Sequence, residues 1–492
     1  MKIVNIAAEL APIAKVGGLG DVVGGLSSAL IKEGQDVEVI LPKYLNLNTK
    51  LLKDFKVYKR NFKIFEKRRW HSNTRYSARL ISVKIYLIED KKNYFAKPKI
   101  YGYKSDVNRF LYFCKAALEF LKSEGELIDI LHLHDWHTAA IATFYKKIYS
   151  LEKKLKVKKI VLSIHNLKYQ GHCKPKDIDN LGFDGRSLLK DDLLKDPFRP
   201  RTLNLLKGGF IFADKIIPVS ENYAKEILSK ENSYGLFKIV NKTKKKIKGI
   251  INGIDTIYWS AKTDKFIKYK YFEEQPLKKI IDAKKNNKKV LQKYLNLEEA
   301  DKPLVCCIGR LVEQKGPDLI KHAILRSIKL NAQFVLLGAI FNKKIGRSFY
   351  NLQKALKGNK NIAIRFEHNE KLAHMLFAAT DFVLVPSLFE PCGLTQMIGF
   401  RYGSIPIVRK TGGLADTVFD LDDKKILANK KNGFTFEKFS TSALDSAFTR
   451  AINFWYKNPN KCRSVMKKNM SLNFSWKKSA NKYLKTYKNL LK

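Results

Sequence analysis

The chain has 492 residues, of which 45% are hydrophobic and 12% aromatic, and this composition excludes an intrinsically disordered protein. At roughly 150 residues per domain, the length predicts about three domains or two large ones. No apolar run approaches the roughly 18–20 residues of a membrane-spanning helix, and the N-terminal MKIVNIAAEL lacks the pattern of a secretory signal. Six cysteines without a CxxC motif favour a reducing compartment, so we expect a cytoplasmic protein.

The net charge is strongly positive, because 94 Lys and Arg residues stand against 46 Asp and Glu residues, which gives +48. Such an excess is typical of nucleic-acid-binding proteins, which gain affinity by releasing counterions. It also arises from AT-rich codon usage, which enriches Lys, Asn, Ile, Phe and Tyr together, as in this chain. Since the lysines are scattered along the sequence, we favour the compositional explanation and expect no specific nucleic-acid partner.

Short apolar strands alternate with helical stretches in the first half of the chain. A helix is predicted over Asp21–Glu33, where Gly34 ends it. The predicted strands of this half are Lys2–Ala8, Asp36–Leu41, Asp129–Leu133, Lys159–Ser163 and Lys215–Val219. This alternation is typical of a doubly wound parallel sheet.

The same pattern restarts near residue 303, after a polar, lysine-rich region at about 255–302. Helix Pro317–Lys329 is predicted between strands Pro303–Ile308, Gln333–Leu337, Asn361–Phe366 and Phe382–Val385. We therefore predict an α/β protein with two doubly wound domains and a cleft between them. Ligands of such sheets bind beyond the carboxyl ends of the strands, so the segments that follow the strands are the candidate sites.

A glycine-rich loop, KVGGLGD at Lys15–Asp21, follows the first strand. Its glycines allow a close approach of the backbone to a ligand, and Lys15 together with a helix N-terminus would stabilise a phosphate. An ordinary glycine-rich turn is an equally good interpretation from the spacing alone. The loop matches neither GxGxxG nor GxxxxGK[ST], which argues against a dinucleotide oxidoreductase and a P-loop NTPase.

Histidines follow two further strands. The segment His132–His137, with the sequence HLHDWH, places three histidines and a carboxylate close together, which suggests a metal site. We expect no metal here, because no second histidine cluster elsewhere in the sequence completes a metallohydrolase set. His165 follows the next strand, and its position makes a ligand-binding role about as probable as a structural one.

The second domain carries two corresponding segments. In Gly309–Pro317 (GRLVEQKGP), Arg310 could bind a diphosphate bidentately and Lys315 could supply a point charge, although a solvated basic loop is the alternative. In Pro386–Thr395 (PSLFEPCGLT), a carboxylate beside an anion-binding helix start suits sugar hydroxyls better than phosphate. Two basic loops and a carboxylate together indicate a nucleotide-sugar ligand.

These motifs resemble those of bacterial glycogen synthases and plant starch synthases, which are retaining glucosyltransferases with the two-domain GT-B architecture. The resemblance covers nearly the whole chain. It rests on Lys15–Asp21, His132–His137, His165–Gly171 (HNLKYQG), Asn252–Asp255 (NGID), Gly309–Gly316, Ser387–Leu394, Arg401–Asp416 and Phe474–Ala480 (FSWKKSA).

The resemblance implies two Rossmann-like domains with a deep interdomain cleft. It implies an N-terminal domain at residues 1–253, a nucleotide-sugar-binding domain at residues 254–473, and a C-terminal helix at residues 474–492 that crosses back to the first domain. The implied activity is transfer of glucose from ADP-glucose to the non-reducing end of an α-1,4-glucan, with retention of configuration and no metal or other cofactor.

The resemblance also implies roles for individual residues. Asp135 and Trp136 would line the cleft for acceptor and donor. The residues expected to bind the donor or support its loop are Lys15, Gly17, Gly18, Asp21, Asn252, Cys392, Gly393, Leu394 and Thr395. Those expected at the reacting centre are His165 for the transferred glucose, Arg310 and Lys315 for the departing diphosphate, and Glu390 for glucose hydroxyls.

Several alternatives remain open at this point. UDP-glucose is the rival donor, and a catalytically silent glucan-binding homologue is the rival function. Because no carboxylate nucleophile is obvious, we expect same-face attack in which the leaving phosphate accepts the acceptor's proton. A covalent intermediate on Glu390 is the competing mechanism.

Overall fold

The structure, a computed structural model, describes residues 1–90 and 92–492. It forms two compact units, one of Met1–Gly253 with Trp476–Lys492 and the other of Ile254–Ser475. Every helix among the described residues is too short or too polar to traverse a bilayer.

The first unit alternates strands and helices from its first residues onward. Its strands are β1 (Lys2–Ile6), β2 (Asp36–Pro42), β3 (Lys53–Glu66), β4 (Arg69–Leu80), β5 (Val83–Asp90), β6 (Leu127–His134), β7 (Lys156–Ile164), β8 (His172–Cys173), β9 (Leu203–Asn204) and β10 (Lys215–Pro218). Its first seven α-helices are α1 (Gly18–Lys32), α2 (Asp106–Glu124), α3 (Trp136–Phe144), α4 (Pro175–Asp179), α5 (Leu205–Phe212), α6 (Glu221–Glu226) and α7 (Phe237–Lys242).

Eight of these strands form one sheet in the order β10-β7-β6-β1-β2-β5-β4-β3. The strands from β10 to β5 are parallel, and most of their residues are buried. Because β1, β6 and β7 are adjacent and parallel, the segments that follow them emerge at the same end of the sheet.

The β3–β4 hairpin extends this sheet in antiparallel fashion. We did not predict it, because the charged residues of β3 interrupt any regular apolar alternation. The first nine residues of β3 are exposed, and they include three lysines and an arginine at the edge of the sheet. Charged side chains on an edge strand discourage pairing with another chain.

The second unit contains a separate parallel sheet. Its strands are β11 (Leu304–Leu311), β12 (Gln333–Ile340), β13 (Ile362–Arg365), β14 (Phe382–Val385), β15 (Ile405–Arg409) and β16 (Phe434–Phe436). Its helices are α8 (Leu277–Leu295), α9 (Pro317–Lys329), α10 (Lys343–Ala355), α11 (Glu370–Ala379), α12 (Thr395–Arg401), α13 (Gly412–Thr417), α14 (Thr441–Lys457) and α15 (Pro459–Met470). The strand order is β13-β12-β11-β14-β15-β16.

The predicted α/β class with two doubly wound sheets is confirmed, and most element boundaries differ from the prediction by a few residues. Helix α9 and strand β14 coincide with the predicted elements. Helix α1 begins at Gly18, three residues before the predicted start, because the glycine loop itself forms its first turn.

Helix α8 lies in the lysine-rich region that we expected to be merely polar. The side chain of Lys284 is buried and donates to three backbone carbonyls, those of Ala378, Thr380 and Tyr402. Lys288 forms a buried ion pair with Asp381, with a distance of 2.6 Å from Nζ to Oδ2. Part of the positive charge therefore holds this helix in place.

The final helix, α16 (Trp476–Leu491), belongs to the first unit and packs against α1. The indole of Trp476 lies directly over Gly25, where an added Cβ would be 2.0 Å from Nε1. Buried residues of β1, α1 and α16, including Ile3, Val22 and Tyr483, form one apolar cluster. The C-terminal helix therefore completes the core of the first unit.

Candidate active site

The glycine loop of the first unit turns directly into helix α1. Gly17 is the N-cap residue in extended conformation, and Gly18 begins the helix. The Lys15 side chain is 44% exposed, and its Nζ lies 2.7 Å from Oδ1 of Asp21. This ion pair orients the lysine at a helix N-terminus, where backbone N–H groups favour an anion.

Glu9 holds this loop from beneath, although the sequence analysis did not single it out. Its Oε2 accepts hydrogen bonds from the backbone N–H groups of Val16 and Gly17, at 2.6 and 2.9 Å. Its Oε1 accepts a hydrogen bond from the hydroxyl of Tyr101 at 2.7 Å. The side chain is 3% exposed, and burial raises the pKa of Glu9 above its ordinary value while the backbone hydrogen bonds oppose this rise.

The HLHDWH segment ends strand β6, but its three histidines do not converge on one point. His132 and His134 are fully buried, with ring centroids 4.3 Å apart. The ring of His137 stacks instead on Tyr101, with centroids 4.8 Å apart. Among residues 1–90 and 92–492, no group of three or more His, Cys, Asp or Glu side chains is arranged to hold a metal ion.

The ring nitrogens of His132 and His134 contact other protein groups. For His132, Nε2 lies 2.7 Å from Oγ of Ser163 and Nδ1 lies 2.8 Å from the hydroxyl of Tyr487. For His134, Nε2 lies 3.1 Å from Oδ1 of Asn5 and Nδ1 lies 3.1 Å from Nε2 of His165. His134 therefore contacts His165 from inside the sheet, and His132 packs behind His134.

Asp135 stands between strand β6 and helix α3 in a left-handed backbone conformation, with φ of 56°. Its Oδ1 accepts hydrogen bonds from the backbone N–H groups of His165 and Asn166, at 2.7 and 3.3 Å. Burial raises the pKa of Asp135 to about 7, and these hydrogen bonds partly oppose the rise. A strained, buried carboxylate that joins the ends of two strands is typical of a functional site.

Trp136 begins helix α3 and is 9% exposed. Its ring lies 4.2 Å from that of His137 and 5.6 Å from that of Phe110, measured between centroids. Gly171, with φ of 66°, faces the indole so closely that an added Cβ would be 2.3 Å from Cε3. The HNLKYQG segment therefore carries a glycine at its end because the tryptophan occupies that space.

His165 directly follows strand β7 and is only partly buried. Burial lowers its pKa to about 3, so the ring is neutral near pH 7. Asn252, from the NGID segment, is buried, and its Oδ1 has no hydrogen-bond partner among the described residues. Both side chains therefore retain a polar atom that a ligand hydroxyl or N–H group could meet.

In the second unit, a pocket lies at the carboxyl ends of β11 and β14. Arg310, Lys315, Ser387 and Thr395 are among its lining residues. The guanidinium of Arg310 lies over the ring of Phe341, 5.8 Å from its centroid, and the part of the chain that the structure describes offers it no carboxylate partner. Two cations at strand ends make this pocket suitable for a diphosphate.

Glu390 lies beside this pocket and is 7% exposed. Its Oε2 forms an ion pair with Nζ of Lys315 at 2.5 Å and accepts a hydrogen bond from the hydroxyl of Ser387 at 2.8 Å. The carboxylate is therefore held in a fixed position by a cation and a hydroxyl group.

The segment after Glu390 is shaped by another glycine-containing loop, which includes Gly412 and Gly413. Added Cβ atoms at Gly412 and Gly413 would lie 2.0 Å from the backbone oxygens of Glu390 and Cys392, respectively. Gly393 has φ of 76°, and Leu394 is the N-cap residue of α12, which begins at Thr395. The predicted residues Cys392 to Thr395 therefore form one turn. The loop with Gly412 and Gly413 packs against the backbone of this turn.

Family models match both units. One, described as the starch synthase catalytic domain, matches residues 2–242, and another, described as glycosyl transferases group 1, matches residues 287–471. A glycogen synthase of Protochlamydia amoebophila (strain UWE25) is 42% identical over 494 residues, which cover 99% of each chain. The probable starch synthase 4 of Arabidopsis thaliana is 40% identical over 489 residues, which cover 99% of this chain and 46% of that protein.

Solved structures are similar as well. The catalytic domain of starch synthase IV from Arabidopsis thaliana, bound to ADP and acarbose, superposes with a TM-score of 0.95 at 39% identity, covering 100% of this chain and 99% of that one. A sucrose-phosphate synthase from Thermosynechococcus elongatus gives a TM-score of 0.60 at 16% identity and shares the fold. The near-complete coverage at about 40% identity shows that this chain belongs to the glycogen and starch synthase family of glycosyltransferases.

Proposed function

We propose that the protein transfers glucose from ADP-glucose to the non-reducing end of an α-1,4-glucan, with retention of configuration and release of ADP. The observation that carries this proposal is the pocket at the ends of β11 and β14, where Arg310 and Lys315 stand beside the fixed carboxylate of Glu390. Cations suit a diphosphate, and a buried carboxylate acceptor suits sugar hydroxyls.

The chemistry explains the need for these cations. As the bond from glucose to the diphosphate breaks, positive charge develops on the sugar and negative charge on the leaving group. Arg310 and Lys315 would stabilise that negative charge more strongly in the transition state than in the ground state. We assign this neutralisation to side chains of the protein and not to a metal ion, so a chelator is expected to leave the rate unchanged.

Groups of the first unit would act on the sugar and the glucan. We propose that Lys15 and the first turn of α1, which begins at Gly18, bind the donor, that His165 holds the transferred glucose, and that Asp135 and Trp136 line the cleft for acceptor and donor. The fixed positions of these side chains support the assignment, because well-placed binding groups lower the barrier by orienting the reactants.

Glu390 is assigned to hydroxyl binding and not to nucleophilic attack. Its Oε2 already interacts with Lys315 and Ser387, and both interactions stabilise charge on the carboxylate and reduce its tendency to attack a carbon atom. The acceptor hydroxyl would then attack from the face that the diphosphate leaves, and a phosphate oxygen would take its proton. Detection of a glucosyl adduct on Glu390 by mass spectrometry would contradict this assignment.

The decisive assay incubates the protein with glycogen and either labelled ADP-glucose or labelled UDP-glucose. We expect labelled polymer from ADP-glucose, and we expect that an α-1,4-specific hydrolase releases the label. A preference for UDP-glucose would show that ADP-glucose is not the natural donor. If neither donor gives labelled polymer, a catalytically silent glucan-binding homologue is favoured. We further propose a cytoplasmic location, which is supported by six buried free cysteines.

A further inference from the structure

Three polar side chains form a hydrogen-bonded row inside the sheet of the first unit. Asn5, His134 and His165 come from or directly follow the adjacent strands β1, β6 and β7. Oδ1 of Asn5 lies 3.1 Å from Nε2 of His134, and Nδ1 of His134 lies 3.1 Å from Nε2 of His165. Asn5 is 1% exposed and His134 is fully buried, so water does not compete for these contacts.

The position of each proton follows from the first member of the row. An amide oxygen only accepts hydrogen bonds, so Nε2 of His134 must carry a proton. The amide nitrogen of Asn5 is directed to the hydroxyl of Ser27, at 3.4 Å. Burial holds the pKa of His134 well below its ordinary value, so the ring is neutral and its Nδ1 carries a lone pair.

The hydrogen bond between His134 and His165 can then run in only one direction. Because Nδ1 of His134 accepts, Nε2 of His165 must donate. His165 is neutral as well, so its other nitrogen, Nδ1, carries no proton. No partner for this Nδ1 occurs among residues 1–90 and 92–492.

We infer that Asn5 and His134 hold His165 with its proton on Nε2, so that Nδ1 accepts a hydrogen bond from a hydroxyl group of the transferred sugar. The identity of the ligand rests on the proposed function. In this form His165 cannot donate from Nδ1 to the leaving phosphate, whose oxygens are acceptors. Asn5 and His134 are positioning residues, because they act through His165.

Other titratable groups surround the rings of His134 and His165. The titratable group that stacks on His134 is His132, which in turn contacts the hydroxyl of Tyr487 on α16. The carboxylate of Asp135, which follows His134 in the chain, accepts a hydrogen bond at Oδ1 from the backbone N–H of His165. His132 and His137 also interact electrostatically with His165, and burial lowers the pKa of both to about 3, so both rings are neutral near pH 7.

The direct test is nitrogen NMR spectroscopy of the full-length protein labelled with [15N]histidine, without substrate. The chain contains nine histidines, and the resonances of His165 are identified by their loss in His165→Gln. Between pH 6 and pH 8 we expect a protonated Nε2 and an unprotonated Nδ1 for His165. The opposite tautomer, or an even mixture, would overturn the inference even if the protein proves to be an active glucosyltransferase.

Variants separate positioning from simple structural support. Asn5→Leu removes the acceptor for His134, so we expect a mixture of His165 tautomers and a loss of roughly tenfold in kcat/KM. Asn73→Leu is the matched control, because Asn73 is an equally buried asparagine of the same unit. Its side chain forms hydrogen bonds with Phe62 and Tyr112 and not with the histidines of the row. Equal losses in both variants, with the His165 spectrum unchanged, would show that Asn5 is merely structural.

Asn5→Asp provides an independent readout. The carboxylate would favour proton uptake by His134, and a doubly protonated His134 would donate to His165 and reverse its tautomer. We therefore expect Asn5→Asp to lose more activity toward lower pH than the wild type does, whose own profile includes the titration of Asp135. Identical pH profiles together with an unchanged His165 spectrum would contradict the inference.

Discussion

Nζ of Lys315 and Oε2 of Glu390 are 2.5 Å apart, although 75 residues separate them in the sequence. The two groups belong to the turns after β11 and β14, which pair in parallel. One residue is assigned to the diphosphate and the other to the sugar, so a change in either is expected to disturb both.

Lys315→Ala tests this coupling. We expect a loss of about 2–4 kcal/mol of transition-state stabilisation, a hundredfold or more in kcat/KM, because a cation at the leaving group is lost. The variant also leaves the largely buried Glu390 with Ser387 but without its cation, which is expected to lower the free energy of unfolding by about 1–3 kcal/mol. In the double variant Lys315→Ala/Glu390→Gln, the loss of stability should be smaller than the sum of the losses in the two single variants, while activity stays low. If urea denaturation shows that the two losses simply add, the coupling is contradicted.

Arg310→Ala should behave differently. Its guanidinium stacks on Phe341 and has no carboxylate partner in the described residues, so its removal leaves no buried charge unpaired. We expect kcat/KM to fall by a hundredfold or more, about 2–4 kcal/mol, with the midpoint of thermal unfolding nearly unchanged. Arg463→Ala, on helix α15, is the control and should retain full activity. A stable Arg310→Ala variant with normal rates would contradict the assigned role.

Glu9 provides a test of loop positioning. Gln at this position can accept from the N–H groups of Val16 and Gly17 through its oxygen and donate to Tyr101 through its nitrogen. Glu9→Gln should therefore keep activity within a few-fold, whereas Glu9→Ala leaves three groups unpaired and should cost about 1–3 kcal/mol of stability. Glu9→Ala should also raise the KM for the nucleotide sugar. If Glu9→Gln is as impaired as Glu9→Ala, the negative charge itself is required.

Asp135 is expected to make stability depend on pH. Its pKa of about 7 lies above the ordinary value of 3.8, so between these values the folded state holds a proton that the unfolded state has lost. The free energy of unfolding therefore decreases, through this group, as pH rises from about 4 to about 7. Asp135→Asn removes that contribution, so the stability of the variant relative to the wild type should increase over the same range. Chemical denaturation at several pH values measures this difference, and a constant difference would contradict the raised pKa.

Gly25→Ala tests the packing of α16. Alanine gains up to about 1 kcal/mol of helix propensity over glycine, but the added Cβ meets a buried indole at 2.0 Å. Overpacking of this kind costs about 1–3 kcal/mol, so net destabilisation is expected. Ser28→Ala in the same helix lacks this clash and serves as the control. Gly25→Ala/Trp476→Leu should recover part of the loss, and no recovery would show that the contact with Trp476 is not the cause.

The sequence predicts candidate site segments because strand ends and glycine loops have local signatures, and their part in binding stays a prediction. Lys15, His165, Arg310 and Glu390 all lie in such segments. The partners of these residues were not predictable in the same way. Glu9 lies in the turn after β1, and its contacts with the loop depend on the path of that turn, which periodicity does not show. Asn5 reaches His134 from an adjacent strand, so its role depends on the order of strands in the sheet.

The lysine-rich region was also interpreted incompletely from composition. Periodicity does not distinguish an exposed lysine from one whose ammonium group is enclosed, and Lys284 is enclosed by three carbonyls. The β3–β4 hairpin was missed for a related reason, since the first nine residues of β3 are exposed and charged side chains interrupt their apolar alternation.

The return of α16 to the first unit has a consequence for biosynthesis. While the chain is still being translated, the surface of α1 around Gly25 and Leu26 has no partner, because Trp476 and Tyr483 have yet to leave the ribosome. More than two hundred further residues must therefore be synthesised after residue 253 before the apolar cluster of the first unit is complete. During that interval the nascent chain exposes an apolar surface to which chaperones would bind.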